Sequence, residues 1–170
     1  SERGSAIVGA AFIDEALEEI LKAILIVSAE KGDELFNGSR SPLGSFSAKI
    51  DVAYRIGLIS PKVRESLHII RNIRNDFAHL SLQINFETQS VRDRIRNLFN
   101  LNKEAFAALR QILKDVPENL IVDNDSIHDI DNIVNNLGWK LAYELLISTI
   151  AATLFEQKNR TPKIVSHHRD

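Results

Sequence analysis

The stretch His68-Ile69-Ile70-Arg71-Asn72-Ile73-Arg74-Asn75-Asp76-Phe77-Ala78-His79 gathers the side chains best suited to chemistry in this 170-residue chain. Histidine can take and give a proton near neutral pH, and a guanidinium can grip a phosphate through two parallel hydrogen bonds. Together they suit chemistry on RNA. His79 would draw a proton from a 2′-hydroxyl while Arg74 or Arg71 stabilises charge on phosphorus, with no metal and no cofactor required. A plainer explanation is a polar helix face whose Arg, Asn and His satisfy backbone groups or neighbouring acids.

Either use needs a helix to position these groups. On one, His68, Asn72, Asn75 and His79 form a polar stripe while Ile70, Ile73 and Phe77 face inward. His68, Arg71 and Asn72 are the candidate binding residues, and Arg74, Asn75 and His79 the candidate catalytic ones. At about 100° per residue, Arg74 and His79 lie roughly 140° apart, whereas Asn75 and His79 lie roughly 40° apart. Joint action of Arg74 and His79 therefore requires the helix to loosen before His79, or a second copy of the segment brought in by dimerisation. Ser60-Pro61 supplies the helix start, serine as N-cap and proline at the first position, and Val63 and Leu67 extend the apolar stripe.

Other elements follow from the same signals. Ala6, Ala10, Ile13, Leu17, Ile20 and Ile24 recur at helical spacing, opposite Asp14, Glu15, Glu18, Glu19 and Lys22, predicting an amphipathic helix from Ala6 to about Val27. Glycine, proline and Asn37-Gly38 make residues 31–45 a loop. A short helix begins near Ser45 or Ser47 and stops at Gly57. The Gly44-Ser45 turn could hold an anion at that helix start, although capping is its default use. Residues 80–89 alternate weakly but have no evident partner strand, so they read as an ordered connection. Ser90 with Asp93 resembles a capping box, Asn102 opens a further helix through Leu113, and Pro117 ends it. Within the polar segment 115–136, Asp123 to Asp129 approaches a calcium loop, yet His128 stands where the turn glycine belongs and Val134 where the closing glutamate belongs, so no metal site is expected. Beyond Gly138 an apolar run with Trp139 and Tyr143 predicts a helix packed centrally, its aromatics in the core. His167-His168 lacks fixed partners for a metal. The expected fold is all-α: one helical bundle over residues 1–160, with roughly five to seven helices and a flexible tail at 161–170.

With 44% hydrophobic and 26% charged residues, the composition supports a normal core. The absence of cysteine removes disulfides, thiolate metal sites and a cysteine nucleophile, and fits a reducing, cytoplasmic location. No signal peptide is expected, because Ser5 to Ile13 runs into Asp14, Glu15, Glu18 and Glu19, and Leu145 to Phe155 is too short to span a membrane. Net charge is −2, so no whole-molecule field favours a polyanion. The distribution is uneven: residues 1–39 hold three basic against eight acidic side chains, 40–110 twelve against six, and 111–170 six against nine. A basic middle could face phosphate or be a solvated surface compensated by its neighbours.

Three runs in order, Ser41-Pro42-Leu43-Gly44-Ser45-Phe46-Ser47-Ala48-Lys49-Ile50, Ala53-Tyr54-Arg55-Ile56-Gly57-Leu58-Ile59 and Ile70 through His79, resemble the mannitol operon repressor family over roughly residues 5–110. Segment 115–136 looks unlike that family and reads as an insertion. Arg74, four intervening residues and His79, with Asn75 after the arginine, also resemble the motif of HEPN domains. These are helical modules, often dimeric, many of them metal-independent ribonucleases or toxins and others inactive binding partners. The first resemblance implies negative control of a sugar-alcohol uptake operon; the acidic ends and modest charge fit action through a protein partner, and the expected protein is a non-enzymatic transcriptional regulator and a homodimer. The alternative it leaves is an endoribonuclease using Arg74, Asn75 and His79. Direct binding of DNA or RNA stays open. The turn from Gly57 to Ser60 does not make a convincing helix-turn-helix, since its second helix carries apolar residues where base contacts belong. Arg92, Arg94 and Arg96 splay around a helix and read as a solvated face.

Overall fold

The computed structural model describes residues 1–28, 32–38, 40–79, 83–105, 107 and 130–165. Among them the chain forms α1 (Glu2–Ile24), α2 (Phe46–Arg55), α3 (Pro61–Ala78), α4 (Gln89–Leu101) and α5 (Ile130–Arg160), and no strand. No helix among the described residues is long and apolar enough to cross a membrane. The helix expected from Asn102 towards Leu113, the segment before Ile130, Leu82 and the His167-His168 pair lie largely or wholly outside the described residues.

Local signals set most boundaries. Ser1 caps α1 by accepting from the Gly4 N–H at 3.2 Å, so the helix starts four residues before Ala6. Its buried face holds Ala6, Ala10, Ile13, Leu17, Ile20 and Ile24, the expected set, with Ala16 and Leu21 added. Ser45 caps α2 through the Ala48 N–H, and Gly57 takes the left-handed conformation, φ +75°, that turns the chain towards α3. Ser60 caps α3 with Pro61 as its first residue, and Leu67, Ile69, Ile70, Ile73 and Phe77 are buried along it.

Two expectations are corrected. Helix α4 begins at Gln89 with Thr88 in the cap position, and Asp93 bonds the Gln89 side chain instead of closing a box with Ser90. Thr88 makes no side-chain cap, because its hydroxyl is taken up by Asn85. The polar segment read through residue 136 also stops earlier. Helix α5 already runs from Ile130, with Ile130 and Ile133 buried, and bends at Gly138, φ +76°. Asn102 ends α4 as a buried side chain, donating to Leu98 O at 2.7 Å and Ser66 Oγ at 2.9 Å, which ties α4 to α3.

Helices α1, α3, α4 and α5 form a ring, each packed on the next, and α2 lies across α1 and α3. The connection after α3 is pinned at Phe86, whose ring stacks between Phe77 and Tyr143 at centroid distances of 4.9 and 5.2 Å. Its backbone N–H donates to the Glu2 carboxylate, so the start of α1 holds the end of α3 in place. Trp139 and Tyr143 are core aromatics as expected, with the Arg96 guanidinium 4.7 Å from the Trp139 ring centroid. Past α5, the Ile164 N–H donates to Ile24 O, bringing the chain back to the end of α1.

One buried charge fixes α2. The Lys49 side chain is 5% exposed, and its ammonium lies 2.7 Å from both Asp14 and Glu18 on α1, while Glu18 also meets Lys22 at 2.6 Å. Burial works to raise the Glu18 pKa, but the hydrogen bonds from Lys22 and Lys49 outweigh it and hold the carboxyl below its ordinary value. Burial works to lower Lys49, and the bonds to Asp14 and Glu18 outweigh that, raising it. A depressed acid stabilises the fold above its unfolded pKa and loses that contribution as pH falls through the folded value. A raised lysine contributes below its unfolded pKa and loses it as pH rises through the folded one. Stability is therefore expected to be flat between about pH 5 and pH 10 with respect to this cluster and to fall on either side. Lys49→Met should cost roughly 2–3 kcal/mol in urea unfolding at neutral pH. That is below the ~3–5 kcal/mol of a fully buried broken pair, because Asp14 and Glu18 keep 31% and 23% of their side chains exposed. A change under about 0.5 kcal/mol would show that the bridge does not hold α2.

Candidate functional site

Three elements meet beside Lys49 and leave a cleft of about 430 Å³. Arg71, Arg74 and Asn75 enter it from α3, Ser45 and Ser47 from the head of α2, and Asp14 from α1. The turn before α2 is close-packed. A Cβ on Gly44 would stand 2.2 Å from Ser41 Oγ, a hydroxyl already donating to Gly38 O, so glycine keeps the turn closed and aims the α2 start at α3.

The charges in this cleft do not cancel. Asp14 is matched by Lys49 and Glu18 by Lys22, so that cluster sums to zero. Arg74 donates to the Asn75 side-chain carbonyl at 3.1 Å and Arg71 reaches the Ser47 hydroxyl at 3.5 Å, but neither meets a carboxylate among the described residues. Arg64 pairs with Asp51 at 2.8 Å, Arg96 with Asp131 at 2.6 Å, Arg92 with Glu87 and Arg94 with Asp76, whereas Arg3, Arg40 and Arg55, away from the cleft, also meet no carboxylate among the described residues. The small basic cluster at Arg92, Arg94 and Arg96 is thereby absorbed into ion pairs. At the α2 start, Ser45 takes the Ala48 and Lys49 N–H groups through its hydroxyl and carbonyl, and those of Phe46 and Ser47 find no acceptor among the described residues. Two guanidiniums, two free N–H groups and the positive end of a helix dipole thus converge on one space.

The other candidate residues go elsewhere. His68 is half-buried with Nε2 3.5 Å from Asp51, whose carboxyl is held below its ordinary value chiefly by the hydrogen bond from Arg64. Asn72 is exposed. His79 lies just past the end of α3 with extended backbone angles, φ −71° and ψ 112°, so the helix does end before it. Its carbonyl accepts from Arg3 on α1 at 3.3 Å, its ring is exposed, and it does not line the cleft that Arg74 lines. One chain therefore brings together Arg71, Arg74 and Asn75 and leaves His68, Asn72 and His79 outside.

Chemically the cleft can hold an anion, with Asp14 and Asn75 able to accept or donate hydrogen bonds beside it. Among the described residues no imidazole lines it. Asp14, Ser47 and Lys49 escaped the sequence reading, although Asp14 and Glu18 stand one helical turn apart on the face of α1 that meets Lys49. Among the described residues no group of three or more His, Asp or Glu side chains is placed to hold a metal ion. Comparison of the chain with protein-family models, curated proteins and solved structures returns no match.

Because neither side chain bonds to a described residue, His79→Ala and Asn72→Ala should each alter the unfolding free energy by less than ~0.5 kcal/mol. A larger loss in urea titration would assign the imidazole or amide a packing role.

Proposed function

We propose that this chain is a regulator of the mannitol operon repressor kind, acting as a homodimer in negative control of sugar-alcohol utilisation, and that it works through a macromolecular partner. The observation that carries this reading is where the three resembling runs go. Ser41 to Ile50 forms the turn and head of α2, Ala53 to Ile59 its end and the Gly57 corner, and Ile70 to His79 the second half of α3. Residues of the first and last of these runs line the cationic cleft, and the middle run forms the corner that joins α2 to α3. A set of residues scattered through separate core positions would offer no such shared surface.

Regulation rather than RNA cleavage is favoured by the separation of His79 from the cleft, which leaves Arg74 with no imidazole beside it among the described residues. An indirect route is favoured by the packing of α3. This second helix of the Gly57 corner is engaged by α1, α2 and α4, and a groove-reading helix needs a free face with base-contacting side chains.

Deleting the gene in its host should raise transcription of the sugar-alcohol uptake operon several-fold without inducer, and complementation by the wild-type or the His79→Ala chain should restore repression. Unchanged transcript levels would remove the regulatory reading. Overexpressed wild-type protein should leave cellular RNA intact; growth arrest with RNA cleavage that His79→Ala abolishes would install the ribonuclease in its place.

A further inference from the structure

We propose that the cleft between α1, α2 and α3 binds a small phosphate monoester of a polyhydroxylated molecule, with the phosphate seated on Arg71, Arg74 and the first N–H groups of α2. The inference deepens the regulatory reading, on which it rests for its consequence, namely that this ligand is the effector; the binding itself is a property of the purified protein.

Three observations converge on that ligand class. Arg71 and Arg74 lack carboxylate partners among the described residues, as Arg3, Arg40 and Arg55 do, but only these two line one cleft together. Arg71 is half-buried and Arg74 exposed, so both donors are reachable from solvent, and a phosphate dianion can accept from both at once. The second observation is the wall opposite. Asp14 and Asn75 supply the acceptor and donor that orient hydroxyl groups, while Ile7, Ala10 and Ala11 give an apolar surface for the carbon skeleton. Asp14 is also held in place by the Lys49 ammonium at 2.7 Å. The third is size and surroundings. About 430 Å³ lies within the range of small-molecule sites. A nucleic-acid strand needs a track of cations spanning successive phosphates, and here two arginines share the cleft with Asp14. One phosphate group fits that supply of charge.

Isothermal titration calorimetry on the purified chain separates the possible sources of the phosphate group. The probes are a hexitol phosphate, glucose 6-phosphate, inorganic phosphate, the unphosphorylated hexitol and a short single-stranded RNA. A phosphate monoester should bind at least tenfold more tightly than inorganic phosphate, and the free hexitol should give no measurable heat. Arg71→Gln with Arg74→Gln should weaken the ester at least tenfold, Arg74→Lys should weaken it less, and Arg55→Gln, an exposed arginine at the far end of α2, should leave it unchanged. Circular dichroism melting confirms that each variant is folded; if the double variant is unfolded, Arg74→Gln alone decides. Failure of every phosphorylated probe to bind the wild-type chain overturns the proposal. So does inorganic phosphate binding as tightly as the esters, RNA binding more tightly than either, or ester binding that survives the arginine variants. The two readings fail separately: binding with unchanged operon transcripts keeps the site and removes the regulator, whereas derepression without binding keeps the regulator and removes this effector.

Discussion

Burying the Lys49 ammonium costs free energy that a hydrogen-bonded pair of carboxylates at 2.7 Å can offset, and both carboxylates stand on α1. Much else depends on that arrangement. A ten-residue helix is not stable in water by itself, so α2 holds its place through Ile50 and Ala53 in the core and through this ionic clamp beside them. Apolar burial fixes the depth at which α2 sits but tolerates sliding along α1. Two directional bonds from one ammonium do not, and Asp14 with Glu18, one turn apart, set the register. The distance from the head of α2 to Arg71 and Arg74 follows from it. The residue that shapes the cleft thus stays out of the ligand's reach, and Asp14 serves both the clamp and the wall.

The start of α1 performs a similar service at the opposite end of α3. Glu2 takes the Phe86 N–H, Arg3 reaches the His79 carbonyl, and Ser5 donates to Glu144 on α5. The chain leaving α3 is therefore tied to α1 within a few residues, and the Phe77, Phe86 and Tyr143 rings fill the space beneath. Burial pushes the Tyr143 phenol far above its ordinary pKa, which keeps it a neutral core group. The exposed His79 lies on this tethered corner and does not line the cleft that holds Arg74.

The parts of the fold legible in the sequence are those whose signals are local. Ser60-Pro61, Gly57 and the isoleucine stripe of α3 specify their own conformations, and no tertiary contact competes with them. The start of α4 is ambiguous in sequence because two donors and acceptors three residues apart look like a capping box whichever way they point. Asn85 captures the Thr88 hydroxyl and Gln89 occupies Asp93, and both choices depend on how the preceding loop packs. The polar segment before Gly138 hides the first turns of α5 because its buried isoleucines, Ile130 and Ile133, are spaced among Asp and Asn that dominate the composition. Of the candidate site, Arg71, Arg74 and Asn75 are visible from residue type. Their company is not, since it comes from α1 and from the head of α2, residues that periodicity assigns to a core-facing helix and to a cap.

Spacing along one helix is therefore a weak guide to a site, for a reason that this chain makes concrete. Arg74 and His79 diverge on any regular helix, and ending the helix at Ala78 sends the two further apart in environment: one faces α2, the other the start of α1. What decides chemistry is the surface against which each residue is packed. The charge pattern behaves in the same way. The basic middle of the chain supplies six more cations than anions, yet Arg64, Arg92, Arg94 and Arg96 are engaged by carboxylates contributed from near and far in sequence. The excess that remains in a concave setting is local, two guanidiniums beside a helix start, within a molecule whose overall charge is negative. Long-range attraction of a polyanion is weak under those conditions, while short-range recognition of one compact anion keeps its full hydrogen-bonding strength. Burial, pairing and net charge together favour a discrete ligand over a strand.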